Sequence, residues 1–223
     1  MLDAARITEL LQPFLGDTPV PAGLAAQLQT YLDLLLRWNA RTNLTAVRDP
    51  EQIVTRHFGE SLFAARLLCD AGALNSTGAV PPTLADVGSG AGFPGLPIKL
   101  LAPRVQLTLI ESQNKKATFL REVVRALCLK DVEVYCGRAE TWNRTANVVT
   151  VRAVEKFNTV LPIAASLVGS KGTLCLLAGA SQVESASQLL GTSWSFSAPV
   201  PIPLSDGRVV LVGVRNYSMP EIR

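Results

Sequence analysis

The sequence predicts an α/β fold: a mostly parallel, Rossmann-like sheet with helices on both faces, preceded by a helical N-terminal extension. Three observations predict it. Short runs rich in Val, Leu and Ile (84–87, 105–110, 131–135, 147–151 and 173–177) alternate with helix-like segments (95–101, 113–128, 158–168 and 182–190), the rhythm of strand, crossover helix and parallel strand. Residues 2–69 contain no strand candidate and carry apolar residues at steps of three and four. The last two apolar runs, 194–199 and 208–215, have no helix between them and turn at Ser205-Asp206-Gly207, which reads as an antiparallel hairpin at the sheet edge.

A chain of 223 residues that is 48% hydrophobic and 17% charged is long enough to bury one substantial core. Residues 1–70 form the helical extension, in which Leu24, Leu28, Tyr31, Leu32, Leu35 and Trp38 share one apolar face. The polar stretch 39–49 reads as a connection. Pro50 then opens a helix carrying Ile53, His57, Leu62 and Leu67. Gly72, Gly78, Pro81 and Pro82 mark 70–82 as a linker, and the sheet domain occupies 83–217. Within it the segment around Phe119 is the clearest helix. Phe119, Leu120, Val123, Val124 and Leu127 lie on one face, with Lys115, Lys116, Arg121 and Arg125 elsewhere.

Composition narrows the function classes. Asp3, Arg6 and Glu9 interrupt the first apolar residues, so these do not read as a secretory leader. No apolar run is long enough and free enough of charge to span a bilayer, and a cytoplasmic protein without a membrane partner is expected. Cys69, Cys128, Cys136 and Cys175 are scattered, and His57 is the single histidine, so neither a metal site nor a disulfide framework is implied. A net charge of +3 permits a nucleic-acid partner without requiring one.

The chemical signal lies in LADVGSGAGFPGLPIKLLAP, residues 84–103. Gly88, Gly90, Gly92 and Gly95 follow a strand candidate at the topological switch point of an open parallel sheet, where ligands approach the backbone. The spacing differs from the dinucleotide fingerprint GxGxxG, and prolines flank the helix start instead. The second strand ends on Glu111, placed where a carboxylate accepts hydrogen bonds from both hydroxyls of a ribose. An adenosine-type nucleoside is the expected ligand. A nicotinamide-dependent oxidoreductase remains an alternative at this point.

The acidic residue before the glycines, Asp86 of DVGSGAG, resembles the first motif of class I S-adenosylmethionine methyltransferases, a fold that ends with an antiparallel strand inserted in its sheet. RWNARTNLTAVRDPEQIVTRHFGESL, GFPGLP, IESQNKKATFLREVV, GRAE and VRAV together resemble the bacterial 16S ribosomal RNA guanine-N7 methyltransferases, also called the glucose-inhibited division protein B family, over about residues 24–215. The resemblance implies S-adenosyl-L-methionine as cofactor. It also implies a substrate guanine at position 527, in the decoding-region loop of the small subunit.

Carried over residue by residue, it implies that Asp86, Gly88, Gly90, Phe93, Glu111, Ala139 and Glu140 bind the cofactor, and that Arg152 contacts both cofactor and guanine as the catalytic residue. His57 joins Arg48, Arg56 and Lys115 as the expected RNA-binding set, the arginines because they precede the glycine turn and suit phosphates. The sequence departs from the family pattern at Glu60, where aspartate is usual, at Val151, where serine is frequent, and at Ala178, where a lysine is common.

The implied chemistry suits the inventory. Guanine N7 carries an unprotonated in-plane lone pair, so methyl transfer is a direct displacement without a general base. Methylation at pyrimidine C5 needs a cysteine nucleophile, and none of the four cysteines sits in such a motif. Adenine amino methylation comes with an Asn/Asp-Pro-Pro-Tyr/Phe motif where residues 151–154 read VRAV. The expected partner is small-subunit ribosomal RNA or the 30S subunit, met by a monomer. A catalytically silent RNA-binding module is the other alternative, and Ala178 is the feature that keeps it open.

Overall fold

The computed structural model describes residues 2–75, 80–152 and 156–216. Asp3 caps the first helix, α1 (Ala4–Leu15), by accepting from the Arg6 amide at 2.8 Å. The long helix α2 (Leu24–Thr42) buries Leu24, Leu28, Tyr31, Leu32 and Leu35, the stripe read from the sequence. It runs one turn into the expected 39–49 connection and ends at Asn43 in the left-handed region. Asp49 caps α3 (Pro50–Ile53), with Pro50 at its first turn, and the chain continues as a π-helical turn (Val54–Gly59) into α4 (Glu60–Asp70).

A side chain at Gly59 would meet the Phe14 ring at 2.5 Å, so glycine there lets α1 pack directly on the backbone. The expected linker 70–82 lies partly outside the described residues.

Among the described residues eight strands follow: β1 (Thr83–Val87), β2 (Gln106–Glu111), β3 (Val132–Cys136), β4 (Ala146–Arg152), β5 (Val168–Gly179), β6 (Trp194–Phe196), β7 (Val200–Pro201) and β8 (Arg208–Arg215). The helices between them are α5 (Gly95–Leu101), α6 (Asn114–Ala126), α7 (Phe157–Ser166) and α8 (Gln182–Leu190). The sheet order is β3-β2-β1-β4-β5-β8-β6, with β7 paired to β8. Strands β1 to β5 are parallel, and β8 runs antiparallel to β5.

The expected hairpin closes the sheet at its edge: β6 is the edge strand and pairs antiparallel with β8, which hydrogen-bonds to β5 on its other side. One expectation needs correction. The stretch 168–172, read as helix end and loop, instead opens the long strand β5, whose register with β4 shifts between Ala146 and Val148. The inserted antiparallel strand also separates this sheet from the parallel 3-2-1-4-5-6 dinucleotide sheet and removes the topological basis for the oxidoreductase alternative.

Alternation along β1 divides the core. Leu84 joins a cluster with the N-terminal helices, α5 and α6, while Ala85 and Val87 join one with α7, α8, Trp142 and Trp194. The N-terminal helices therefore share their hydrophobic core with one face of the sheet. Tyr31 of α2 stacks on Phe93 at 5.5 Å, and its hydroxyl donates to the Ala91 carbonyl within the glycine turn. Among the described residues no helix is long and apolar enough to cross a membrane.

Candidate functional site

The glycine turn is held open from below and from the side by two carboxylates. Asp86, fully buried in β1, accepts from the Thr150 hydroxyl at 2.7 Å through Oδ1 and from the Gly95 amide at 3.2 Å through Oδ2. Burial pushes its pKa up to about 6 against those hydrogen bonds. Both of its oxygens serve the protein, so it braces the turn and the start of α5 from inside.

Glu111 closes the other side. It accepts from the Gly90 amide at 2.9 Å and from the Gln113 amide at 2.8 Å, one bond to each oxygen. Each carboxylate oxygen keeps a lone pair for a further donor. Gly88, Gly90 and Gly92 have φ of 69°, 57° and 95°, the left-handed region that disfavours a side chain.

An open cleft of about 380 Å³ extends from this turn along the carboxyl ends of β1 and β2. Gly88 and Glu111 line it on one side; Ala139 and Glu140, from a 3₁₀ turn (Ala139–Thr141), and Lys156 line it on the other. The sequence-predicted residues Gly88, Glu111, Ala139 and Glu140 thus meet in one cavity. A second cleft, of about 410 Å³ and lined by Thr83, Gln106 and Glu133, lies at the amino ends of the strands, away from the glycine turn.

Beside the cleft, Phe93 anchors an aromatic cluster with Tyr31, Phe58 and His57. The Arg152 guanidinium, at the end of β4, lies 5.8 Å from the Phe93 ring centre. Its Nη2, with two hydrogens, lies within hydrogen-bonding distance of three acceptors, the Arg56 carbonyl at 2.6 Å, His57 Nδ1 at 3.0 Å and Glu60 Oε2 at 3.1 Å, so one hydrogen is shared between two of them. Arginine is donor only, so Nδ1 must accept and the ring proton sits on Nε2, facing the Thr45 hydroxyl at 2.8 Å.

Burial first, and the Arg152 charge second, depress the His57 pKa to about 3. His57 is therefore a buried neutral ring with both nitrogens occupied, rather than part of an exposed RNA surface. Arg48, Arg56 and Lys115 do have exposed side chains. Arg48 donates a hydrogen bond to the Asn43 side chain at 3.3 Å.

Sequence reasoning did not place Glu60 and Arg208 in the site. Glu60, only 2% exposed, sits between Arg152 and Arg208, whose Nη2 lies 2.7 Å from Oε1 at an angle outside hydrogen-bonding geometry. Glu60 stands one helical turn after His57, a spacing that puts both on one face and was legible. Nothing near Arg208 in the sequence points to Glu60, because β8 brings it there by pairing Arg208 with Gly179. Ala178 is buried and paired with Val209 in the same ladder.

The family model for rRNA small subunit methyltransferase G matches residues 24–198. Ribosomal RNA small subunit methyltransferase G of Xylella fastidiosa (strain 9a5c) is 41% identical over 193 residues, 85% of each chain. The enzyme of the same name from Xanthomonas euvesicatoria pv. vesicatoria is 35% identical, covering 96% of this chain and 97% of its own. Among solved structures, a ribosomal protein L11 methylase from Lactobacillus delbrueckii subsp. bulgaricus aligns with a TM-score of 0.56 at 16% identity, covering 71% of this chain and 80% of that one, a likeness of fold. Matched over most of its length by the family model and by both relatives, the chain belongs to the rRNA small subunit methyltransferase G family.

Proposed function

We propose that this chain transfers a methyl group from S-adenosyl-L-methionine to N7 of a guanine in 16S ribosomal RNA, at position 527 in the decoding-region loop. The observation that carries the reading is the junction of two features: a backbone-lined cleft with a carboxylate at its rim, and a guanidinium beside it that His57 and Glu60 hold in place. The cleft suits the nucleoside. A Cβ at Gly90 would meet only the Gly88 carbonyl, at 3.8 Å, so the turn leaves room for a ligand against its backbone. Glu111 would hold the ribose, Ala139 and Glu140 the adenine edge, and Gly88 and Phe93 the methionine end, with Asp86 acting beneath them as a positioning residue.

S-Adenosylmethionine supplies an electrophilic methyl group on a sulfonium; the C–S bond breaks with its electron pair left on sulfur as the N7–C bond forms, and no proton moves. The protein's task is then to align and to exclude competing geometry. Arg152, held by Arg56, His57 and Glu60, presents a guanidinium that cannot swing away, suited to orient a planar base. Alignment of this kind is worth roughly 7 to 11 kcal/mol of barrier. His57, neutral and fully hydrogen-bonded, supports Arg152 and is no general base. The Cys175 thiol, pushed up to about 12 by burial, is unsuited to act as a nucleophile.

In the same reading residues 1–70 contribute RNA contacts to the methyltransferase domain of residues 83–217, and the protein works as a cytoplasmic monomer on free RNA or on the 30S subunit. Incubation with radiolabelled S-adenosylmethionine and unmodified small subunits, followed by nucleoside analysis, tests it. The expected product is 7-methylguanosine at one site. Label on another atom, or RNA bound without turnover, would sink the assignment and favour the silent binding module.

A further inference from the structure

A third cavity lies outside the site described so far. It measures about 600 Å³ and is lined by Arg37, Trp38, Ala40, Arg41 and Thr42 of α2 and by Glu122 of α6. Arg37 and Arg41 are one helical turn apart, so their stems leave the same face, and both are exposed. Among the described residues neither makes an ion pair or a hydrogen bond.

Trp38 is half-buried and fixed from two directions. Its ring meets Phe119 edge to face at 5.6 Å, and its Nε1 donates to Glu122 Oε2 at 3.0 Å. The other Glu122 oxygen engages no donor among the described residues. A rigid indole, two unpaired guanidinium groups and one carboxylate acceptor in a single open groove are the parts of a nucleotide subsite. Aromatic faces stack bases, arginines take phosphates, and a carboxylate accepts from base N–H groups.

The groove adjoins the site. α2 ends at Thr42, and Thr45, whose hydroxyl faces His57 Nε2, follows within a span of at most about 11 Å of chain. Resting on the methyltransferase reading above, we propose that this groove is a second RNA subsite. It would hold a single-stranded nucleotide flanking the target guanine, with its base against Trp38 and its phosphates on Arg37 and Arg41.

The test uses the full-length protein and a labelled, protein-free 16S ribosomal RNA transcript, with affinity measured over a salt series. The double variant Arg37→Gln/Arg41→Gln changes only exposed side chains. It should bind at least tenfold more weakly at low salt and lower the slope of log affinity against log salt by about 1.4, two single-strand phosphate contacts. Its affinity for S-adenosylmethionine by calorimetry should not change. Trp38→Leu should weaken binding about tenfold with the slope unaltered, since stacking releases no counterions.

Should Trp38→Leu fail to fold, the arginine variant still decides. Unchanged affinity and slope there would overturn the subsite, and weakened binding seen only with assembled subunits would overturn it in favour of a ribosomal-protein contact. Wild-type protein is assayed in parallel for 7-methylguanosine. A lost slope with no such product would leave the groove standing while the catalytic reading fell.

Discussion

The glycine turn after β1 and the π-helical turn before α4 both converge on Phe93, yet they build their polar groups differently. The glycine turn offers neutral backbone amides, set by Asp86 and Glu111, which lie a few residues away or at the next strand end. The π-helical turn fixes a charge. Its Arg56 carbonyl, His57 and, just beyond, Glu60 grip a guanidinium 92 to 96 residues further along the chain. A site made of backbone is written where it stands in the sequence, whereas a site made of side chains is written in fragments that only the fold assembles.

The sharpest way to break the comparison is to add one carbon at each of two glycines. A Cβ at Gly92 would run into the Tyr31 hydroxyl and come within 2.5 Å of Leu96 Cδ1, at a φ of 95°. Tyr31 is fully buried between α2 and the turn and has little room to yield. Gly92→Ala should cost roughly 3 to 5 kcal/mol of stability, read as a lower urea midpoint at unchanged slope. At Gly90 the space is open, so Gly90→Ala should cost only about 1 kcal/mol from its left-handed φ. Gly90→Val should abolish S-adenosylmethionine binding by filling the turn while leaving the fold intact. Equal destabilisation at the two positions would erase the distinction between packing glycine and ligand glycine.

The pH dependence separates the regions by sign. The pKa of Asp86, about 6 in the folded protein, is raised above its ordinary 3.8, so its contribution is full below pH 3.8 and is lost as pH rises through 6. His57 is depressed from 6.5 to about 3, so its contribution is present above pH 6.5 and is lost as pH falls toward 3. Between pH 6 and 4 the two oppose each other. Asp86→Asn removes one of them, and the variant should lose stability relative to wild type by on the order of 3 kcal/mol on going from pH 7 to pH 4. Urea unfolding at each pH measures the difference curve. A flat one would mean that burial does not raise the Asp86 pKa.

The same contrast explains what the sequence revealed. Five parallel strands, the glycine turn and the helix around Phe119 follow from apolar periodicity and local turn chemistry, and they stand close to where the pattern put them. The place of Glu111 beside the glycine turn was legible because it depends only on the end of β2. The surroundings of His57 were not legible, because its partners, Thr45 and Arg152, come from a loop and from a distant strand. Arg208 carried no signal at all, since its approach to Glu60 depends on β8 entering the sheet beside β5. Insertion of β8 is in turn a choice among strand neighbours, and alternation of apolar residues does not encode it.

Removing Arg152 tests the side-chain half directly. Arg152→Ala should lower single-turnover methylation by on the order of a hundredfold through lost positioning. Arg152 is not among the residues lining the cleft, so calorimetry with S-adenosylmethionine tests the cofactor contact that the family resemblance implies for it: weakened binding would support the contact, and unchanged binding would leave Arg152 to the guanine alone. Glu60 keeps Arg208 as a partner, so the variant should still fold, which its denaturant midpoint would report. Because N7 carries no proton to be removed, the wild-type rate should be level between pH 7 and 9. A basic limb near pH 8 would put a proton transfer back into the reaction.

The smallest effect concerns where RNA leaves the site. The Arg48 and Arg56 side chains are exposed, and the Arg56 carbonyl that holds Arg152 belongs to the backbone, so Arg56→Ala leaves that bond in place. If each arginine meets one phosphate, Arg48→Ala or Arg56→Ala should weaken RNA binding a fewfold and reduce the salt slope by roughly 0.7 to 0.9, with S-adenosylmethionine affinity unchanged. An unaltered slope in both variants, against a reduced one in Arg37→Gln/Arg41→Gln, would route the strand along α2 and away from the π-helical turn. A reduced slope in all of them would run it continuously from the Trp38 groove past Thr45 to Arg152, making the N-terminal helices one face of the same site.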